Sequence, residues 1–175
     1  MIYVVSGLPR SGTSMMMKML EAGGLSVLVD ADNPSTDVNP GGAYAYEGTK
    51  RPPYDWMGEA EGKAVKVTAH FLHLLPCEYQ YRIIYMERTP AEVLISQNKR
   101  EFAKFHDESE VIRHSDTAKQ WTNRQDNLEV LLVDYNKIVT DPLDSCKAIA
   151  KFLGVKLSAV KMSKVPNSEL YRNRV

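Results

Sequence analysis

A short apolar segment, followed by a glycine-containing loop and a helical pattern, constrains the fold of this chain most strongly. Residues 2–6, IYVVS, are apolar and partly β-branched, which is typical of a buried strand. Gly7 and Gly12 enclose residues 8–11. After this loop, apolar side chains recur at helical spacing through residues 16–23. This order predicts the start of a βαβ unit, whose loop amides and helix N-terminus favour a bound anion.

The same alternation of strands and helices continues along the chain. Further strands are predicted at residues 25–29, 63–69, 81–88 and 128–135. Helices are predicted at residues 89–105, near 115–126 and at 141–155, and the tail from 156 shows no periodicity. The pattern predicts a single α/β domain over residues 1–175, with a three-layer parallel β-sheet flanked by helices.

Charge and composition limit the kinds of molecule that this chain is expected to bind. Lys and Arg total 22 and Asp and Glu total 22, so no net charge attracts nucleic acid or an anionic membrane, and an anion site must be local. The two cysteines predict no disulfide framework, and no His, Cys or Asp cluster has metal-ligand spacing. No apolar run approaches the roughly 20 residues that span a bilayer. We therefore expect a cytoplasmic protein without a metal ion and without nucleic-acid or membrane partners.

The loop differs from a nucleoside-triphosphate loop at one informative position. Such a loop carries Lys directly after its second glycine, where the lysine reaches the β- and γ-phosphates. Here that position holds Thr13, and the nearest cation is Arg10 inside the loop. Arg10 offers a planar charged fork, and the hydroxyls of Thr13 and Ser14 can donate to phosphate oxygens. The missing lysine disfavours a kinase, although a degenerate kinase loop or a structural turn stays open at this point.

The segment SGLPRSGTS, residues 6–14, resembles the 5′-phosphosulfate loop of the sulfotransferase family, whose members use 3′-phosphoadenosine-5′-phosphosulfate (PAPS). In that family a Pro, a Lys or Arg, and a Ser-Gly-Thr-Thr or Ser-Gly-Thr-Ser stretch cradle the 5′-phosphate. The resemblance implies the P-loop NTPase-like sulfotransferase fold and a short member of bacterial or phage type. Met15 stands where longer cytosolic members have the Trp that stacks on adenine. The implied 5′-phosphate residues are Pro9, Arg10, Ser11, Gly12, Thr13 and Ser14.

A second motif resembles the 3′-phosphate site of the same family. Arg88 ends a predicted strand and Ser96 lies eight residues later in the following helix, as in that family; a solvated helix start is the alternative. Tyr135, at the end of the last predicted strand, would lie near the donor adenine, or would simply cap its strand. Arg172 or Arg174 would reach the 3′-phosphate from the C-terminal segment, unless that segment is only a solvated basic tail.

The resemblance also implies residues for the transfer itself. Arg10 would stabilise the charge that develops on the leaving phosphate, and Lys66 matches the family's Lys at the end of the third strand. His70 lies two residues later than in the family's Lys-Thr-His pattern and is the first candidate for the base. His73 and Glu47 are the alternatives, and a protein that binds PAPS or its product PAP without catalysis stays possible if none of them acts.

Two irregular or polar segments, residues 30–62 and 100–118, are expected to form the acceptor site or a lid over it. The acceptor implied by the family is a hydroxyl or an amine on a small molecule, glycan or peptide, and its identity is left open. The sequence does not indicate an oligomeric state. The aromatic residues of the first segment would line the site or form a satellite core: Tyr44, Tyr46, Tyr54 and Trp56.

Overall fold

A five-stranded parallel sheet organises the computed structural model, which describes residues 1–32, 42–50, 55–98 and 105–167. The strand order is β2-β3-β1-β4-β5. The strands are β1 (Ile2–Gly7), β2 (Val27–Leu28), β3 (Ala64–Lys66), β4 (Tyr81–Glu87) and β5 (Leu128–Asp134). All neighbouring strands run parallel, which requires a crossover between each pair. All five predicted strands are therefore confirmed.

Helices connect the strands and cover the sheet. They are α1 (Thr13–Gly23), α2 (Met57–Ala60), α3 (Pro90–Asn98), α4 (Glu108–Thr122), α5 (Tyr135–Thr140), α6 (Pro142–Leu153) and α7 (Ala159–Met162). Two 3₁₀ helices span Glu47–Lys50 and Ala69–Leu74. Within the described ranges, no helix is both long enough and apolar enough to cross a bilayer.

The two faces of the sheet each carry their own core. Successive side chains of β1 point to opposite faces, so Val4 packs in one cluster with Trp56 while Val5 packs in the other with Met16. The first cluster includes side chains from α2, α3 and α4, and the second includes side chains from α1, α5, α6 and α7. This confirms the predicted α/β class with a helical layer on each face of a parallel sheet.

The carboxyl ends of the parallel strands meet at one edge of the sheet. The loop of residues 8–12 follows β1, Lys66 ends β3, Arg88 follows β4 and Tyr135 follows β5. The predicted site residues of four separate segments are therefore brought to the same edge, where ligands bind in open parallel sheets.

The prediction that a helix begins near residue 115 is wrong, because α4 already begins at Glu108. Asp107 caps this helix, and its side chain accepts a hydrogen bond from the Glu110 backbone N–H at 3.0 Å. The first turns are mostly polar, Ile112 in them is exposed and only Val111 is buried, so hydrophobic periodicity alone does not reveal them.

The tail beyond residue 156 also contains more structure than its sequence indicates. The four-residue helix α7 places the fully buried Met162 against Gly23 of α1, where an added Cβ would lie 2.7 Å from the Met162 Cγ. One helical turn is too short for periodicity to be visible in the sequence.

We predict that Gly12→Ala destabilises the protein more than Gly24→Ala, although both glycines have left-handed backbones (φ of 98° and 104°). A left-handed alanine costs about 1–2 kcal/mol at either position. At Gly12 the new Cβ would also lie 2.4 Å from the Tyr135 Cδ2, whereas Gly24 has no heavy atom within 4 Å. Urea unfolding of both variants measures the difference, and equal losses would contradict a close approach of Tyr135 to the loop.

Candidate functional site

The loop between β1 and α1 is a tight turn that exposes backbone amides at a helix N-terminus. The Ser11 N–H donates to the Leu8 carbonyl at 3.1 Å, and Gly12 has a left-handed backbone. Among the described residues no side chain caps α1, and its first turn carries no acidic residue. The partial positive charge of this helix N-terminus is therefore not balanced by a carboxylate and favours an anion.

Arg10 is held in the loop by residues of the second predicted phosphate motif, which lies far along the chain. Its backbone is left-handed at φ 77°, which costs about 1–2 kcal/mol for a residue with a Cβ. The Arg10 Nε donates to the hydroxyl of Ser96 at 2.9 Å, and its carbonyl accepts from the Arg88 Nη1 at 3.1 Å. The Pro9 carbonyl accepts from the Gln97 side chain at 2.9 Å. The two phosphate motifs predicted from the sequence therefore contact each other directly.

Arg88 is the centre of a buried polar network. Its Nε donates to the Glu92 carboxylate at 2.8 Å, and the two side chains are only 6% and 1% exposed. The other Glu92 oxygen accepts from the Asn136 amide at 3.0 Å. The guanidinium also lies 4.2 Å from the centroid of the Tyr135 ring, which is a cation–π distance. Two of the nitrogens that a bidentate phosphate contact could use are thus already shared with Glu92 and Arg10.

Tyr135 packs between the loop and Arg88. Its side chain is buried against Gly12, and burial raises the pKa of its hydroxyl, while the Arg88 charge acts in the opposite direction. This close approach and the positive φ of Gly12 both favour glycine at position 12, and the ring lies next to both predicted phosphate motifs.

Lys66 and Ser14 meet at the other side of the loop. The Lys66 Nζ donates to the Ser14 hydroxyl at 3.3 Å and also to the Ala43 carbonyl, which in turn accepts from Ser14 at 2.8 Å. Burial lowers the pKa of Lys66 to about 8, and the charges of Lys50 and Arg10 contribute further. A bound anion would favour the protonated form of this amine.

His70 belongs to a cluster of three rings on the opposite side of the sheet from α1. Its ring centroid lies 5.3 Å from that of His114 and 6.4 Å from that of Phe105, which stacks on it. His70 is exposed on one side, yet the loss of hydration against its neighbours lowers its imidazole pKa, with a smaller contribution from His114. Such an imidazole is neutral near pH 7 and can accept a proton.

The other two candidate bases lie in different surroundings. His73 is exposed near the end of the same 3₁₀ helix. Glu47 is also exposed; its carboxylate pairs with Lys50, and its backbone N–H donates to Asp30 at 3.1 Å. Of the three candidates, His70 is the one whose imidazole ring packs against two other rings, those of His114 and Phe105.

The aromatic residues of the first irregular segment mainly fill space. Trp56 is 3% exposed, belongs to a core cluster and donates to the Gly48 carbonyl at 2.9 Å. Tyr46 meets it edge to face at 5.6 Å, and Tyr44 is buried with its hydroxyl donating to Glu21 at 2.5 Å. These three residues therefore pack in the protein core, as in the second of the two predicted alternatives. Tyr54 lies outside the described residues.

Arg172 and Arg174 also lie outside the described residues, as do 33–41, 51–54 and 100–104 of the two predicted acceptor segments. Where the chain is described, no group of three His, Cys, Asp or Glu residues could hold a metal ion. A cavity of about 160 Å³ adjoins Ser11 and Arg88 between α3 and α4, and its walls are mainly apolar. This cavity could take a small apolar or aromatic group beside the arginine.

Some residues of the site were not predicted from the sequence. Glu92 could have been found, because an acid four residues after Arg88 in a helix is an i,i+4 partner. The sequence pattern does not indicate the Ala43 carbonyl or His114 as site groups, because both reach the site only through the tertiary fold.

Solved structures share this architecture. The sulfotransferase domain of the Synechococcus PCC 7002 olefin synthase is 18% identical with a TM-score of 0.59, covering 99% of this chain and 83% of that chain. A mouse sulfotransferase complexed with PAP is 18% identical with a TM-score of 0.54, covering 94% of this chain and 61% of that chain. A sulfotransferase from Mycobacterium avium is 14% identical with a TM-score of 0.52, and the match covers 99% of this chain and 69% of that chain. At such identities these likenesses establish the fold alone.

The family assignment comes from the sequence itself. No curated protein matches the chain. The family model described as "Sulfotransferase domain" matches residues 3–171, which is nearly the whole chain and includes both phosphate motifs and the tail with α7. The chain therefore belongs to the sulfotransferase domain family.

Proposed function

We propose that this protein transfers a sulfuryl group from PAPS to a hydroxyl or amine acceptor and releases PAP (adenosine 3′,5′-bisphosphate). The observation that carries the proposal is the contact between Arg10 and Ser96, which joins the two predicted phosphate motifs near the N-terminus of α1. A donor with one phosphate group at each end of its ribose needs two anion sites close together. The mouse sulfotransferase of the same fold was solved with PAP, which supports this donor class.

The donor would lie along the carboxyl edge of the sheet. Its 5′-phosphosulfate is assigned to the loop amides, to the hydroxyls of Thr13 and Ser14 and to Lys66, and its 3′-phosphate to Arg88 and Ser96. Tyr135 lies next to both groups and is assigned to the adenosine. All of the donor's charge is then held by amides, hydroxyls and cations of the chain itself.

The transfer is an in-line displacement at sulfur. The acceptor oxygen or nitrogen forms a bond to sulfur, the bond from sulfur to the bridging oxygen of the 5′-phosphate breaks, and that oxygen keeps the electron pair. Lys66 and Arg10 stabilise the negative charge that develops there, which is the largest contribution expected for such a reaction. The acceptor's proton passes to His70.

The whole chain, residues 1–175, is proposed as one sulfotransferase-like domain with acceptor segments at 30–62 and 100–118. A small metabolite kinase is the first alternative, and Thr13 in place of the P-loop lysine argues against it. The second alternative is a protein that binds PAP or PAPS without turnover.

Calorimetric titration with PAP, beside ATP with Mg²⁺, tests the donor assignment. We expect micromolar binding of PAP and no binding of ATP with Mg²⁺, because the loop lacks the lysine that meets the β- and γ-phosphates. Binding of ATP without binding of PAP would replace the sulfotransferase proposal with the kinase.

We expect PAP affinity to be roughly tenfold lower at pH 9 than at pH 7, because Lys66 with a pKa of about 8 loses its proton between these values. The phosphates stay ionised over this range, so only the protein's charge changes. Lys66→Arg keeps its charge throughout and should remove the pH dependence. An equal dependence in Lys66→Arg would show that another group titrates.

Single substitution of the three candidate bases identifies the one that acts. We expect His70→Gln to lower kcat by about 10²–10⁴-fold while PAP affinity stays within twofold, since a base acts on the acceptor and not on donor binding. His73→Gln and Glu47→Gln are the matched controls. A loss confined to either of those variants would move the role to that residue, and a parent that binds PAP without turnover would favour the binding protein.

A further inference from the structure

We propose that Glu92 is a positioning residue of the donor site, which orients Arg88 and, through Arg88, fixes the backbone of Arg10. The proposal rests on the proposed function, because the donor site is defined by PAP binding. Glu92 itself is 1% exposed and reaches the donor only through its neighbours.

The carboxylate of Glu92 connects two segments that end at the site. One oxygen accepts from Arg88, directly after β4, and the other accepts from Asn136 in the first turn of α5. Glu92 lies in the first turn of α3, where a carboxylate is favoured by the helix dipole. The same helix carries Ser96 and Gln97, which contact Arg10 and Pro9.

Arg88 transmits this placement to the loop. While its Nε is held by Glu92, its Nη1 donates to the Arg10 carbonyl at 3.1 Å. Because the guanidinium is planar, fixing Nε also fixes the direction of both terminal nitrogens. The Arg10 carbonyl is thereby held in a left-handed backbone that an arginine adopts only under external restraint.

The pair also determines how Arg88 contributes charge. A buried ion pair has no net charge, so Arg88 with Glu92 acts as an oriented set of N–H donors and adds little to the net positive potential. Among the described residues, Arg10, Lys66 and the N-terminus of α1 contribute positive charge beside the loop.

The substitution Glu92→Gln keeps the shape of the side chain but should remove its ability to orient Arg88. A glutamine has one acceptor oxygen, so it can satisfy Arg88 or Asn136 but not both, and its amide N–H₂ would face the remaining donor. Glu92→Gln should therefore release Arg88 from its fixed orientation without opening a cavity.

A double-mutant cycle on PAP affinity tests the proposal, using Glu92→Gln, Arg88→Met and the double variant. We expect Glu92→Gln to weaken PAP binding by about 10–100-fold, by analogy with the range found for residues that orient metal ligands. In the Arg88→Met background the same substitution should have less than a twofold further effect, because Glu92 acts only through Arg88. Additive losses, or unchanged affinity in Glu92→Gln, would overturn the proposal.

Asp144→Asn is the matched control for the loss of one carboxylate. Asp144 is exposed on α6 and pairs with Lys147 at 2.9 Å, and Lys147 is not a residue of the proposed donor site, so PAP affinity should not change. Circular dichroism at the titration temperature establishes that each variant is folded.

Two further variants apply if Glu92→Gln does not fold. Glu92→Asp keeps the charge but shortens the reach to Arg88, and a weaker PAP affinity is expected. The double variant removes both buried charges and is expected to fold with weak PAP binding; parental affinity in either variant would overturn the proposal. A parent that does not bind PAP would instead overturn the proposed function, and the role of Glu92 with it.

Discussion

The parallel pairing of β1 with β4 is the constraint on which the site depends. The register places Gly7 opposite Met86, so the loop that follows one strand lies beside Arg88, which follows the other. Because both strands are central and fully covered, this register is fixed by two cores and cannot slip without exposing a buried face. The contacts among Arg10, Arg88 and Ser96 are then a consequence of strand pairing, with α3 supplying the last of them.

The strained backbone of the loop and the side chains that hold it in place belong to separate parts of the chain. The loop contains the left-handed Arg10, while the groups that hold it lie some eighty residues later, directly after β4 and in α3. Gly12 relieves the loop at the one point where Tyr135 comes too close for a side chain. The geometry of the loop is therefore specified by the fold as a whole, because a strained backbone persists only where the surrounding structure holds it.

The sequence predicts the parts of this protein that depend on local pattern. The strands, the loop and the helix with Pro142 at its start and Gly154 at its end follow from periodicity and capping, and the structure confirms them. The start of α4 does not follow from hydrophobic periodicity, because its N-cap Asp107 precedes a mostly polar turn. The Ala43 carbonyl could not be predicted, because a backbone atom in an irregular segment carries no residue-type signal.

The Ala43 carbonyl would reduce the free energy that an anion gains by binding beside it. Ser14 and Lys66 already direct hydrogen bonds to the Ala43 oxygen, so an incoming phosphate or sulfate oxygen must compete with an acceptor that belongs to the chain. Exchange of one acceptor for another yields far less free energy than a new hydrogen bond in isolation. The affinity of this corner for an anion is therefore a difference between two acceptors, and it falls short of what a count of the anion's contacts would suggest.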